Sequence, residues 1–371
     1  MTKKVFLIFS LCLIALPLHA QEVYQELKET VRAEIVSVVD ESERVVMGTG
    51  ATTTVQTLRA KVLEGVREDV VVEFENDYIL VKEGDIVFLN RLVTINDVEY
   101  YVIKDVDRRG YLVILAVLFI GLLFWFARMQ GVRALLSLAL SVGAIIFVLV
   151  PALLTGFNPA LASLGIAGVI LALALFGTHG INAQSLSAFG GTFIAVFLTC
   201  GIAALFVSAM RLTGFGSDAS VYLNLSTGGS LDFGGLLLGS IIIGVLGVLD
   251  DVSITQASVV QELKAANPTF KLRDLYTRAI RVGRDHVGSL VNTLALAYVG
   301  VSLPLVLLFA RTDSPWSLTV NQEIVAAELV RIIVGSIGLI LAVPLTTLIA
   351  AWWFNTHETK EDSAHSHVHH H

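Results

Sequence analysis

Charge and cysteine are both scarce in this 371-residue chain, and each scarcity excludes something. Charged residues make up 15% of it, where a soluble domain carries about a quarter. Hydrophobic residues make up 55% and the mean hydropathy is +0.75, so a membrane protein is the class that remains. The two cysteines are Cys12, near the start, and Cys200, in an apolar stretch. They offer no disulfide framework, and Cys200 reads as a small packing residue. Catalytic signatures are missing as well. There is no H-E-x-x-H pair, no G-x-S-x-G elbow and no Walker sequence, so the chain is read as a non-enzyme. Without a nucleotide motif, any energy source is an ion or proton gradient, or a separate subunit.

What is present divides into four parts. Residues 1–20 read as a secretory signal, with Lys3 and Lys4 before an apolar core from Val5 to Leu16. Leu18 sits poorly three residues before the cut, which leaves a cleaved peptide and a signal anchor both open. Either one places the next segment outside. Residues 21–109 hold 19 acidic against 11 basic residues, a net of −8, which argues against nucleic acid or anionic lipid as a partner. β-branched runs at 31–39, 70–74, 86–89 and 100–103 alternate with turn signals at Asn76-Asp77, Gly84-Asp85 and Asn96-Asp97. They predict an extracytoplasmic β domain, a small β-barrel of OB-like type or a sandwich. Residues 110–356 form the transmembrane domain, an all-α bundle of about seven helices. The apolar stretches lie at 111–127, 134–154, 160–176, 188–210, 234–254, 287–310 and 327–354, each near the ~20 residues a bilayer needs. Residues 357–371 read as a disordered, His-rich tail.

Basic residues orient these helices. Arg128 and Arg133 flank the first hairpin, and the loop after the fifth span carries Lys264, Lys271, Arg273, Arg278, Arg281 and Arg284. The positive-inside rule makes that side cytoplasmic, together with the C-terminus. No internal repeat is visible, so an inverted-repeat transporter is unsupported. The Gly- and Ser-rich stretch 213–233 reads as a plain surface loop, or as a segment that dips back into the membrane.

Particular strings then stand out. The extracytoplasmic segment has Gly48, Gly50, Gly84-Asp85 and the run from Tyr101 to Arg108. GVLDDVSITQAS (247–258), GRDHVGSLVNTLALAYVGVSLP (283–304) and AELVRIIVGSIGLILAVPLTT (327–347) follow. With these the chain resembles the YibE/F family of bacterial membrane proteins over nearly all its length after the leader. The resemblance implies a bacterial inner (plasma) membrane protein of the layout above. It implies no particular reaction.

Asp250 and Asp251 close the fifth span, and an intramembrane carboxylate is costly enough to be a functional-site hypothesis by default. On a helix Asp251, Thr255, Ser258 and Glu262 share one stripe. Asp285, Ser289 and Asn292 make a second on the returning sixth span, with His286 and Thr293 on the neighbouring face. His179 joins from the turn 176–185. These groups are the candidates for ion, proton or substrate binding on the cytoplasmic side. Clustered oxygens suit a divalent cation and imidazole suits proton coupling, although the spacing matches no standard metal signature. The plainer reading is an ion-pair network in which Arg281 or Arg284 neutralises the aspartates. Adjacent residues on a helix point about 100° apart, so Asp250 and Asp251 cannot form an aspartyl dyad.

Four smaller features complete the reading. Glu328 and Arg331, near Glu323, read as an i,i+3 pair at a helix end. Gly235, Gly239, Ser240 and Gly244 follow a small-xxx-small pattern suited to close helix packing. Pro304 and Pro344 predict kinks. His365, His367 and His369 form a metal-chelating tail or a plain disordered end. Two functions fit. One is a permease or ion-coupled transporter-like protein in the lipid bilayer, moving a small solute or ion. The other is an envelope scaffold or sensor whose outer domain docks a protein partner. The sequence leaves the oligomeric state open.

Overall fold

The computed structural model describes residues 27–46, 48, 50–94 and 98–357. The leader, the Asn96-Asp97 turn and the tail with His365, His367 and His369 lie outside the described residues. The chain divides into two compact units, Met1–Gly121 and Leu122–His371.

In the first unit five strands form one antiparallel sheet: β1 (Leu27–Val45), β2 (Thr52–Val62), β3 (Val71–Asn76), β4 (Ile86–Val93) and β5 (Glu99–Val106). Their order is β3-β2-β1-β4-β5. Period-two alternation drives it. Val31, Ala33 and Ile35 are buried on β1, and Leu58, Ala60 and Val62 are buried on β2, alternating with Arg59 and Lys61. Register follows, with Ala33 opposite Val62 and Val31 opposite Leu89. Irregularities between Ile35 and Ser37, and between Val38 and Asp40, bend β1 and increase its twist. The sheet curls around Phe74, Val87, Leu89, Tyr101 and Ile103. The outermost strands β3 and β5 are not hydrogen-bonded to each other, so the result is a half-barrel rather than a closed barrel. The four predicted runs overlap β1, β3, β4 and β5, with Val70 just before β3, and β2 is not among them. The Gly84-Asp85 turn forms, with the Lys82 amide donating to Asp85 Oδ2 at 2.7 Å.

The helices begin with α1 (Arg109–Ala144), a π-helical turn (Ile145–Leu149) and the short α2 (Val150–Leu154). Then come α3 (Pro159–His179), α4 (Ala183–Ala209), α5 (Asp218–Ser226), α6 (Phe233–Ala266), α7 (Leu272–Val301), α8 (Leu303–Ala310), α9 (Trp316–Asn321) and α10 (Glu323–Thr356). Local chemistry sets several starts. The Asn158 side chain accepts from Leu161 N ahead of Pro159, Asn182 and Ser185 form a reciprocal capping box, and Asp232 accepts from Gly235 N.

Among the described residues five helices are long and apolar enough to cross a membrane, or six if the bent pair α7–α8 counts as one span. That number takes the stretch Arg109–Leu154 as one 46-residue apolar element, but it is two helices that meet across a kink. Its only non-helical residue is Arg128 (φ 48°, ψ −130°), at the position where two spans were expected to join. The sixth span is not a single kinked helix. It breaks at Ser302 and turns by 67°, with Pro304 in the first turn of α8, where its missing N–H costs nothing. Pro344, by contrast, lies inside an unbroken α10.

Helices α4, α6 and α10 pack most extensively on one another, with α7 against α10 and α3 against α6. Their inner faces are built from small and medium side chains, including Ala188, Ala195 and Ala203 on α4 and Ala342 and Ala350 on α10. Large apolar side chains such as Phe197, Leu205 and Ile333 point outward. This inverted pattern suits lipid, which gives no hydrophobic drive to bury large groups but rewards close backbone approach. The small-xxx-small reading holds at Gly239, which touches Ser163 of α3. The tightest approach is Gly191 of α4 against Thr346 of α10, where no side chain has room.

Candidate functional site

The starts of α5, α6 and α10 and the break between α7 and α8 surround a chamber of about 370 Å³. Hydroxyls line it from Ser217, Ser220, Ser240 and Ser302, and charge comes from Glu323, Glu328 and Arg331. The stretch after α4 is therefore no plain surface loop. It folds into α5, capped by the Ser217 side chain, and forms one wall.

Each charge has a defined setting. Glu323 ties down the loop after α4: its Oε1 accepts from the amides of Thr213 and Gly214, both at 2.7 Å, and from Thr213 Oγ1 at 2.9 Å. Arg331 stands roughly 12 Å along α10 from Glu323, at 1.5 Å per residue. One of its terminal nitrogens donates to Glu328 Oε1 at 2.6 Å and the other to Ser240 Oγ at 3.1 Å. Its guanidinium lies 5.9 Å from the Tyr298 ring centre, and its Nε is buried without an acceptor. The i,i+3 pair expected at a helix end is thus present, but it faces a cavity. Beside the chamber is a second cavity of about 290 Å³, walled by Tyr298, Val306, Phe309, Trp316, Leu329 and Ile332. The two share Ser302, Leu305 and Glu328.

From Ser240 the interior of α6 continues through Ile241, Val245 and Leu249, all buried, against Val334 and Leu339 of α10. Beyond this apolar plug, roughly 20 Å from Ser240 along α6, comes a buried polar layer. Gln256 Nε2 donates to Ala279 O at 2.9 Å and to Thr347 Oγ1 at 2.8 Å. The hydroxyls of Ser187, Ser253 and Thr346 are fully buried and have no hydrogen-bond partner. Thr192, Thr199 and Thr347 instead return theirs to the carbonyl four residues back, the usual solution in an apolar helix. Gly283 completes the layer, since a Cβ there would meet Val343 at 2.5 Å and Gln256 Oε1 at 2.9 Å.

The sequence-selected residues lie elsewhere. Asp250 is half-buried, and its Oδ1 accepts from the Asp251 amide at 2.9 Å. Asp251 is exposed, and Thr255 spends its hydroxyl on the Asp251 carbonyl. His179 ends α3 within electrostatic range of Asp251, with no hydrogen bond or ion pair between the two. Asp285, His286 and Asn292 are exposed on α7 and make no hydrogen bond or ion pair with that group among the described residues. Arg281 and Arg284 are also exposed, and Glu328–Arg331 is the one ion pair of the helical unit among the described residues. Among the described residues no three His, Cys, Asp or Glu side chains gather as a metal site.

Sequence reasoning missed Gln256 and the chamber for one reason each. Gln256 is one residue off the polar stripe, and only packing turns it inward. Glu328 and Arg331 were seen, but not the cavity they face. A family model described as YibE/F-like protein matches residues 115–356. No curated protein and no solved structure matches the chain.

Proposed function

We propose that this chain, which belongs to the YibE/F-like family, is a permease whose solute path starts in the Arg331 chamber. The family and the apolar helices make it a membrane protein. The observation that carries the reading further is the chamber, a small-molecule-sized cavity lined by a guanidinium, two carboxylates and four serines among membrane-span helices. Charge at such a position is expensive to keep, so its presence points to use.

The sequence of layers along α6 and α10 supports the same reading. A polar chamber, an apolar plug and a second polar layer follow one another, as in a path closed on one side. Under the positive-inside orientation the chamber opens outside, and Asp250, Asp251 and His179 stand near the cytoplasmic end. The bacterial inner membrane is the proposed location. Energy for transport comes from an ion or proton gradient or from a separate subunit, since the chain has no nucleotide motif.

Hydroxyls in the plug test this without knowledge of the solute. Val245→Ser combined with Leu249→Ser should speed the release of entrapped chloride from proteoliposomes. Unchanged release from a variant that melts normally would remove the permease reading.

A further inference from the structure

We propose that the chamber takes an amphiphilic organic anion together with one proton, the anion at Arg331 and the proton at Glu328. This rests on the permease reading and names its substrate class. The two cavities share walls at Ser302, Leu305 and Glu328, so one ligand can fill both. The larger has hydroxyls and a guanidinium for an oxyanion head. The smaller is walled almost wholly by apolar and aromatic groups and suits a hydrocarbon tail.

The Glu328–Arg331 pair decides the sign of the head. A charged ligand that takes either partner for itself splits this 2.6 Å pair, and a buried charge left without its partner is costly. A cation would take Glu328 and strand Arg331, which cannot lose its proton in a protein. An anion takes Arg331 and strands Glu328, which can be neutralised by a proton. Only the anion with a proton leaves no orphaned charge. Arg331 is also prepared for it, because its buried Nε lacks an acceptor and Ser240 already orients its terminal nitrogen. The other titratable groups lining the two cavities are Glu323, on the same helix, and Tyr298, on α7. Glu323 is committed to Thr213 and Gly214, while α5, α6, α8 and α9 bring no charge.

The test uses the full chain in lipid nanodiscs, titrated by calorimetry with octanoate. Acetate supplies the head alone, and octyltrimethylammonium supplies the same tail with the opposite charge. Octanoate should bind saturably and best, with uptake of about one proton and an affinity that falls as pH rises. Arg331→Gln should lose binding. Glu328→Gln should keep it, without proton uptake or pH dependence, which decides the matter even if Arg331→Gln fails to insert. Preference for the cation, octanoate binding that survives Arg331→Gln, or binding without proton uptake would overturn the proposal. Octanoate binding in a protein whose plug variant does not leak would sink the permease reading alone.

Discussion

Ten of the eleven ion pairs among the described residues lie in the strand-rich unit, and one lies in the helical unit. Most of the ten bridge strands or turns with at least one partner well exposed, as in Arg59–Glu73, whose side chains are 53% and 51% exposed. Water already solvates such groups, so pairing changes little. Glu328–Arg331 differs in its setting: at 27% and 21% exposure it is no more buried than Arg91–Glu99, at 15% and 19%, but it lies among helices with few other polar groups. The strand unit uses charge for solubility and register. The helical unit keeps one pair where charge is costly, at the edge of a cavity.

Several measurements would break or sharpen this contrast. Arg331→Ala should show the largest effect, lowering the stability of the helical unit by about 2 kcal/mol, because Glu328 is left half-buried and alone. Arg59→Ala should cost no more than about 0.5 kcal/mol. Equal shifts in thermal melts of the two variants would erase the distinction.

Gln256→Leu comes next. It removes the donor to Ala279 O and Thr347 Oγ1, at roughly 1 kcal/mol in detergent melts. A gain in stability would mean that the buried polar layer contributes nothing to the fold.

A smaller effect concerns acid. Hydrogen bonds from Arg91, then Arg67 and Tyr101, hold the Glu99 carboxyl down to about 2, from an ordinary value of 4.5. A lowered folded pKa stabilises above the unfolded value and loses that contribution as pH falls from about 4.5 to about 2. The protection of β5 amides, measured against their intrinsic exchange rate at each pH, should therefore fall in that window in the wild type. Glu99→Gln should exchange faster already at pH 6 and lose the acid step; an unchanged step would assign it to another group.

Smallest of all is Asp251→Asn, on an exposed face, with a change under about 0.5 kcal/mol. A large shift in its melt would mean that the stripe is covered in the membrane.

Much of the architecture was legible. Period-two runs placed four of five strands, and each apolar stretch overlaps an observed helix, the sixth being broken at Ser302. β2 was missed although Leu58, Ala60 and Val62 alternate with Arg59 and Lys61, because its threonine-rich start resembles a loop. The candidate site was much less legible. Helical spacing says which residues share a stripe but not which way the stripe faces. Asp251, Thr255 and Asp285 turned outward, and Gln256 turned inward.

The sequence alone determined that this is a membrane protein with a small acidic β domain, and it identified Glu328 and Arg331 as partners. Composition and short-range periodicity carry that information, because burial in lipid and i,i+3 proximity are local consequences of residue type. Only the tertiary structure decided where the polar groups meet. The break at Ser302, the approach of α4 to α10 and the helix folded within the loop after α4 each depend on residues far apart in the chain. A cavity is the space those distant segments leave between them, and no stretch of sequence contains it.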